Sequence, residues 1–490
     1  MPHDAPPARA SRWRAFAVLS AVQLMIIIDS SIVYVALPPI QNDLGFSAAG
    51  LAWVVNAYMI AFGGLLLLSG RLGDLVGRKH IFVAGLVVFT AASLLCGLSV
   101  SQEMLVAARF VQGAGGAMAS AVVMGIIVTL FQEPREMARA IGAIGFVAAA
   151  GGAIGGTAGG VLAQAAGWHW IFFVNAPVGV VAVVLAVRLL AADRGLGLGA
   201  GADVAGAFLV TAGLMAGVYT VVKVEEHGWG SAHTLGLGAL SIALLAGFAA
   251  RQARARNPLM PLRVFRSRNL SGANLVQVLM VAGMSGFQFL TVLYMQRVLG
   301  YGAAATSLAG LPIALVLAVV SLGLAPRLIT RLGPRAVLLT GLTLITAALA
   351  LFTRSPVGGG YALDVLPSMV LLGAGAGLAM PAVMTLAMSG VHPGDTGLAS
   401  GLAGTGAQVG GALGLAALAA LASGHTDALA AGGNRTVSAL NAGYHLAFGV
   451  GAGLLVAAVL LGFVVLRAGP VGAHRPPAAG DHPVTSSMHS

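Results

Sequence analysis

About 20 consecutive apolar residues suffice to cross a bilayer as a helix, and stretches of that length recur along the whole of this 490-residue chain. They run at 15–37, 51–69, 80–98, 104–130, 138–163, 169–190, 204–222, 234–253, 270–295, 304–325, 336–352, 365–389, 398–421 and 444–466. The expected fold is therefore an all-α integral membrane protein with 14 transmembrane helices. With 58% hydrophobic and only 8% charged residues, the chain has too little polar surface to clothe a water-soluble globule of this length. The first run follows Arg9, Arg12 and Arg14, is too long for a signal-peptide core and leads into Pro38-Pro39 without a small-residue cleavage site, so it is read as a retained helix.

The net charge of +11 does not point to nucleic acid, because the basic residues recur between apolar runs and form no single patch. Most fall in alternate loops, on the side of the N-terminus; Lys223, Arg297, Arg354 and Arg435 fall on the other. Retention of positive charge in the cytoplasm then places both termini there, in a cell (plasma or inner) membrane. Trp53, Trp168, Trp170 and Trp229 are expected at the opposite interface, where amphipathic rings anchor. The single cysteine, Cys96, allows no intramolecular disulfide, and no metal site is expected.

One polar island stands out between the second and third runs: Gly70-Arg71-Leu72-Gly73-Asp74-Leu75-Val76-Gly77-Arg78-Lys79. Glycines flanking a carboxylate, followed by a cationic pair, suit a tight turn that pins two membrane helices at the positively charged surface. Asp74 is expected to lock this turn to a neighbouring helix end, with Arg78 and Lys79 serving alike as surface cations. A faint repeat, Arg327 to Arg335, echoes the island with Thr330 in the place of Asp74. Two halves follow: residues 15–190 and 269–466, six helices each, with 203–253 as an inserted helix pair. Residues 1–14 and 467–490 are read as cytoplasmic tails, the latter disordered.

These motifs resemble those of the major facilitator superfamily, in its fourteen-helix drug:proton antiporter branch. The island is similar to the signature loop of the superfamily. Asp29 to Pro38 resembles the acidic first-helix motif of the branch, Leu105 to Ala117 the fourth-helix motif, Ala166 to Gly179 the entry to the sixth helix, and Gly406 to Gly414 the thirteenth helix. The fifth helix carries Gly151, Gly155 and Gly159, and beside them Gly152, Gly156 and Gly160, on one face that admits a close neighbour. The resemblance would put a proline at Gly156.

Charges inside the hydrocarbon are costly and mark function. Asp29 lies roughly 20 Å up the first helix and Arg109 roughly 8 Å down the fourth, at 1.5 Å per residue, so in a core about 30 Å thick their depths nearly coincide. Arg109 favours the carboxylate and desolvation favours the acid, a balance that suits proton exchange at Asp29. A proton and a cationic substrate would then compete for this carboxylate. No phosphate-binding loop exists, since neither lysine follows a glycine, and the 11 histidines are scattered, which disfavours a membrane enzyme. The resemblance implies a monomeric exporter of small amphipathic drugs, antibiotics or toxic hydrophobes, driven by protons, without cofactor or nucleic acid, working in the lipid bilayer by alternating access. A proton-coupled importer, or an exporter of an endogenous metabolite, is the alternative. Met25, Tyr58, Gln112, Met284, Gln288 and Tyr294 are the expected cavity side chains.

Overall fold

The computed structural model describes residues 9–47, 50–131, 133–191, 193, 195, 197, 203–228, 230–255, 258–259, 267–389, 396–433 and 436–467. Trp229, Arg435, most of both tails and much of the glycine-rich and arginine-rich linkers around the inserted pair lie outside them. Among the described residues all regular structure is helical. The N-terminal half comprises α1 (Arg9–Leu44), α2 (Trp53–Val76), α3 (Arg78–Gly97), α4 (Gln102–Leu130), α5 (Pro134–Ala166), α6 (Trp170–Phe173) and α7 (Asn175–Leu189). After the inserted α8 (Val204–His227) and α9 (Ala232–Arg254), the C-terminal half comprises α10 (Arg268–Leu293), α11 (Ala303–Val319), α12 (Ala325–Leu332), α13 (Pro334–Phe352), α14 (Leu366–Met388), α15 (Thr396–Ala431) and α16 (Thr436–Val465).

Short breaks subdivide single crossings: α6 and α7 form one, and α11 and α12 form another across a π-turn at Val320–Leu324. Among the described residues, thirteen crossings are long and apolar enough to span a membrane. The remaining long helix, α5, is uncharged from Ala140 to Ala166 and completes fourteen. Several helices outrun their apolar stretch. α1 continues through Pro38 and Pro39 to Leu44. Since Pro39 has no N–H to return, the Val35 carbonyl is left free and instead accepts a hydrogen bond from Gln296 Nε2 of the other half at 3.2 Å.

Glycine sets how the helices pack, and it does so twice. Gly77 (φ 111°) and Gly333 (φ 83°) occupy equivalent places in the repeat, breaking α2 from α3 and α12 from α13 in a backbone region that a side chain would strain. Further along the following helices, a Cβ on Gly85 would lie 2.8 Å from the Gly115 carbonyl of α4, and one on Gly341 would lie 2.7 Å from the Gly375 carbonyl of α14. The long glycine ridges correspond too. Gly155 and Gly159 seat α5 on the α1 backbone at Ile28 and Ile32, while Gly410 and Gly414 seat α15 on the α10 backbone at Val278 and Ala282. The faint sequence repeat is thus one visible trace of a shared packing plan.

The halves meet along two seams, α2 against α15 and α5 against α11. The inserted α8 packs on both α2 and α15, so it straddles the first seam, and α9 packs on α8. Asp203 ties this pair together, capping α8 through the Gly206 N–H at 2.9 Å and accepting hydrogen bonds from Arg251 and Gln252 of α9. Burial pushes the Asp203 carboxyl up, but the hydrogen bonds from Arg251, Gly206 and Gln252 outweigh it and hold the group below the usual carboxylate range. A carboxyl with a lowered folded value contributes stability above its unfolded value, and that contribution disappears as the pH falls through the lowered one. Melting of the purified protein should therefore carry an acid-side dependence that Asp203→Asn reduces.

Packing predicts a sharp contrast among glycines. A Cβ on Gly115 would sit 2.4 Å from the Phe89 amide nitrogen, whereas one on Gly236 would meet nothing within 4 Å. Gly115→Val should abolish the monodisperse peak in detergent chromatography, overpacking being worth about 1–3 kcal/mol or more, and Gly236→Ala should leave it unchanged.

Candidate functional site: a buried ion pair and a separate cavity

Asp29 and Arg109 meet directly. Arg109 Nη1 lies 2.8 Å from Asp29 Oδ2, with the two side chains 1% and 0% exposed. The depths estimated from helix rise were adequate to bring them level, and the packing of α1 on α4 supplies the facing. Arg109 Nη1 also donates to Gln112 Oε1 at 2.7 Å and its Nε to the Val54 carbonyl at 3.0 Å, and its guanidinium lies 4.4 Å from the Tyr58 ring centroid. The other carboxylate oxygen, Oδ1, accepts from Gln112 Nε2 at 2.8 Å and Asn175 Nδ2 at 2.6 Å. Ser93 Oγ accepts from both of these amides and donates to the Phe172 carbonyl.

Every one of these contacts to Asp29 is a donor, so the arrangement matches an ionised carboxylate. A protonated carboxyl becomes a donor itself. Gln112 or Asn175 must then turn its amide oxygen towards Asp29, or one of these pairs must separate. Asn175 and Ser93 escape a search for charged residues because uncharged polar side chains are tolerated in membrane helices without signalling a site. Asn175 was visible only as one polar residue inside the motif at the entry to the sixth crossing.

A cavity of about 340 Å³ lies between the halves, with α1 and α5 on one side and α10, α11 and α14 on the other. Met284 and Gln288 line it, as does Gly156; Met25, Tyr58, Gln112 and Tyr294 do not appear among its lining residues. Met25 is packed in the core of the N-terminal half, Tyr58 lies beneath Arg109, Gln112 belongs to the Asp29 network, and the Tyr294 hydroxyl donates to the Pro356 carbonyl. The α1 residues at the cavity are Ile27, Ser30, Ser31, Tyr34 and Val35. At 3.6 residues per turn these share one face, and Asp29 projects from the opposite one. The expected competition of proton and substrate for one carboxylate therefore does not fit the geometry: α1 stands between them.

The glycine face of α5 divides its work. Gly151, Gly155 and Gly159 abut α1, Gly160 abuts Ala303 and Ser307 of α11, and Gly156 faces open space at the cavity.

The polar island also differs from expectation. Gly70 lies within α2 and Gly77 breaks it from α3. Asp74 pairs with Arg78 inside the turn at 3.2 Å, both partly exposed, a contact of the kind worth little. The carboxylate that clamps the turn to another segment is Asp193, just beyond α7, whose oxygens accept the backbone N–H groups of Arg78 and Lys79 at 2.9 and 3.2 Å. Gly197 N–H bonds to the Leu75 carbonyl nearby. The two cations are not alike either. Arg78 Nη1 reaches the Gly125 carbonyl of α4, while Lys79 Nζ donates to the Val187 and Leu190 carbonyls at the end of α7. Trp168 is likewise no surface anchor: it is buried and donates through Nε1 to Asp43 at 2.9 Å.

Comparison with known proteins agrees with the fold. The family model described as Major Facilitator Superfamily matches residues 19–415. The chain is 38% identical to the puromycin resistance protein of Streptomyces alboniger, over 93% of this chain and 91% of that one. It is 34% identical to the tetracenomycin C resistance and export protein of Streptomyces glaucescens, over 86% and 79%. Among solved structures, the inward-facing, unoccupied bacterial homolog of the human lysosomal transporter Spinster superposes with a TM-score of 0.67 at 17% identity, over 94% of this chain and 97% of that one, a likeness of fold.

The clamp at the polar turn gives a ranking of substitutions. Asp193→Ala should destabilise the purified protein by about 1 kcal/mol, as loss of a helix cap does, and Asp74→Ala by less. Equal thermal shifts for the two would remove Asp193 from its place at the α3 N-terminus.

Proposed function

The chain belongs to the Major Facilitator Superfamily, and on that premise we propose that it is a proton-coupled exporter of small amphipathic drugs or antibiotics across a bacterial cytoplasmic membrane. The observation that carries the reading is a carboxylate at mid-span, buried, ion-paired and held by donors from α4 and α7. The two antibiotic-resistance relatives support the substrate class and the outward direction.

In this reading the end of the bundle bearing the polar turn faces the cytoplasm. At the far end, which this reading makes the outer one, Gln296 bonds to the Val35 carbonyl, Arg297 to Gln41, and Gln164 to the Ala304 N–H, joining the halves. Proton uptake at Asp29 disturbs its hydrogen bonds to Arg109, Gln112 and Asn175. The disturbance acts on α1, and the opposite face of α1 is cavity wall, so proton and substrate communicate through one helix. Moving one charge through 100 mV yields about 2.3 kcal/mol, enough for roughly fifty-fold accumulation.

Asp29→Asn keeps the size of the side chain and removes its titration. In proteoliposomes with an imposed pH gradient, the variant should lose gradient-driven movement of the uncharged dye Nile red while purified variant and wild type bind it with the same Kd. Gradient-driven export by the Asn variant would place proton coupling at another residue.

A further inference from the structure

We propose that Gly156 selects the ligand of the cavity by size, and that Thr291 and Ser307 hold its hydrogen-bonding groups, so that the site takes an uncharged amphipathic molecule. The proposal deepens the exporter reading and rests on it for the identity of the cavity.

Three observations converge. Among the described residues, those lining the cavity include Tyr34, Gln288 and several hydroxyls but no acid, base or histidine, so a fully charged ligand would leave water without a counter-charge, a costly transfer. Thr291 and Ser307 line it, are 3% and 4% exposed, and neither hydroxyl has a hydrogen-bond partner. Hydroxyls on membrane helices commonly return to a carbonyl of their own turn, as Thr306 does here to Gly302. Two that do not, on α10 and α11, stand in the wall of one cavity, enclosed in this conformation with Ser307 Oγ against Gly160 of α5, and rotation about χ1 would turn either hydroxyl to a ligand; each offers a donor and acceptor capacity.

Gly156 is the third. Its neighbours on the same helix face are packed: a Cβ would lie 2.9 Å from the Ile28 carbonyl at Gly155 and 2.4 Å from the Ala303 carbonyl at Gly160. At Gly156 a Cβ would meet nothing within 4 Å, and Gly310 across the seam is equally open and also lines the cavity. Aligning the two glycine ridges makes Gly411 of α15 the counterpart of Gly156, and there the Met59 side chain already fills the space, 2.4 Å from a would-be Cβ. Of the two related seams, one is plugged by protein and the other is left open.

The test uses two uncharged fluorescent probes of different size, Nile red and the smaller N-phenylnaphthylamine, in binding titrations of purified protein and in efflux from cells lacking other exporters. Gly156→Val should weaken Nile red binding about tenfold or more, the scale of a hydrophobic pocket changed by a methylene or two, and weaken N-phenylnaphthylamine binding far less. Thr291→Val and Ser307→Ala should each weaken Nile red binding about three- to tenfold, as loss of one hydrogen bond does. Neither should lower the melting temperature of the free protein, because the deleted hydroxyl has no partner to lose. Equal loss of both probes in Gly156→Val, a lowered melting temperature in the hydroxyl variants, or wild-type protein that binds ethidium but neither uncharged probe would each overturn the proposal. If the binding pattern holds while no probe leaves the cells, the selectivity stands and the exporter reading fails instead.

Discussion

A charged pair inside a membrane bundle is tolerable only if its charges are met by each other and by hydrogen bonds, and that requirement organises the N-terminal half. Desolvating each ion costs several kcal/mol, repaid by close geometry and added hydrogen bonds. Asp29 and Arg109 obtain them from four directions: Gln112 on α4, Asn175 at the start of α7, the Val54 carbonyl of α2 and, through the amides, Ser93 of α3. The pair therefore draws four helices around α1. The C-terminal half follows the same packing plan without the charges. Met369 stands before Gly375 at the interval by which Arg109 precedes Gly115, and it lines the cavity. Where α4 of one half carries the cation of the buried pair, α14 of the other carries cavity wall.

The crossings were legible because hydrocarbon thickness imposes a length that composition cannot hide. Asp29 and Arg109 were legible for the related reason that an unpaired charge at that depth is too costly to keep. What the sequence concealed is direction around a helix axis. Asp29 and Ser30 are adjacent in the chain, yet one faces Arg109 and the other the cavity, and nothing in an all-apolar surround marks which side is which. The four expected cavity residues that lie away from the described cavity, Met25, Tyr58, Gln112 and Tyr294, turn on this point. Asp193 was hidden differently: it caps a helix distant in sequence, and only the return of the chain beyond α7 brings it to the polar turn.

Glycine is the complement to the charge network. It brings backbones together where side chains would hold them apart, and one such approach beside the site is the ridge of α5 against α1 at Ile27, Ile28 and Ile32. That segment brackets Asp29 and contains cavity-lining residues. Its Ser30 and Ser31 hydroxyls bond back to the Ile27 and Ile28 carbonyls, contacts that loosen and bend helices. A stretch of α1 that is clamped on one side by bare backbone and carries these back-bonded hydroxyls holds a carboxylate on a second side and cavity wall on a third. It cannot answer a change in one without moving the other. On the exporter reading, coupling needs no shared binding group: a rigid contact and a deformable turn in the same helix suffice.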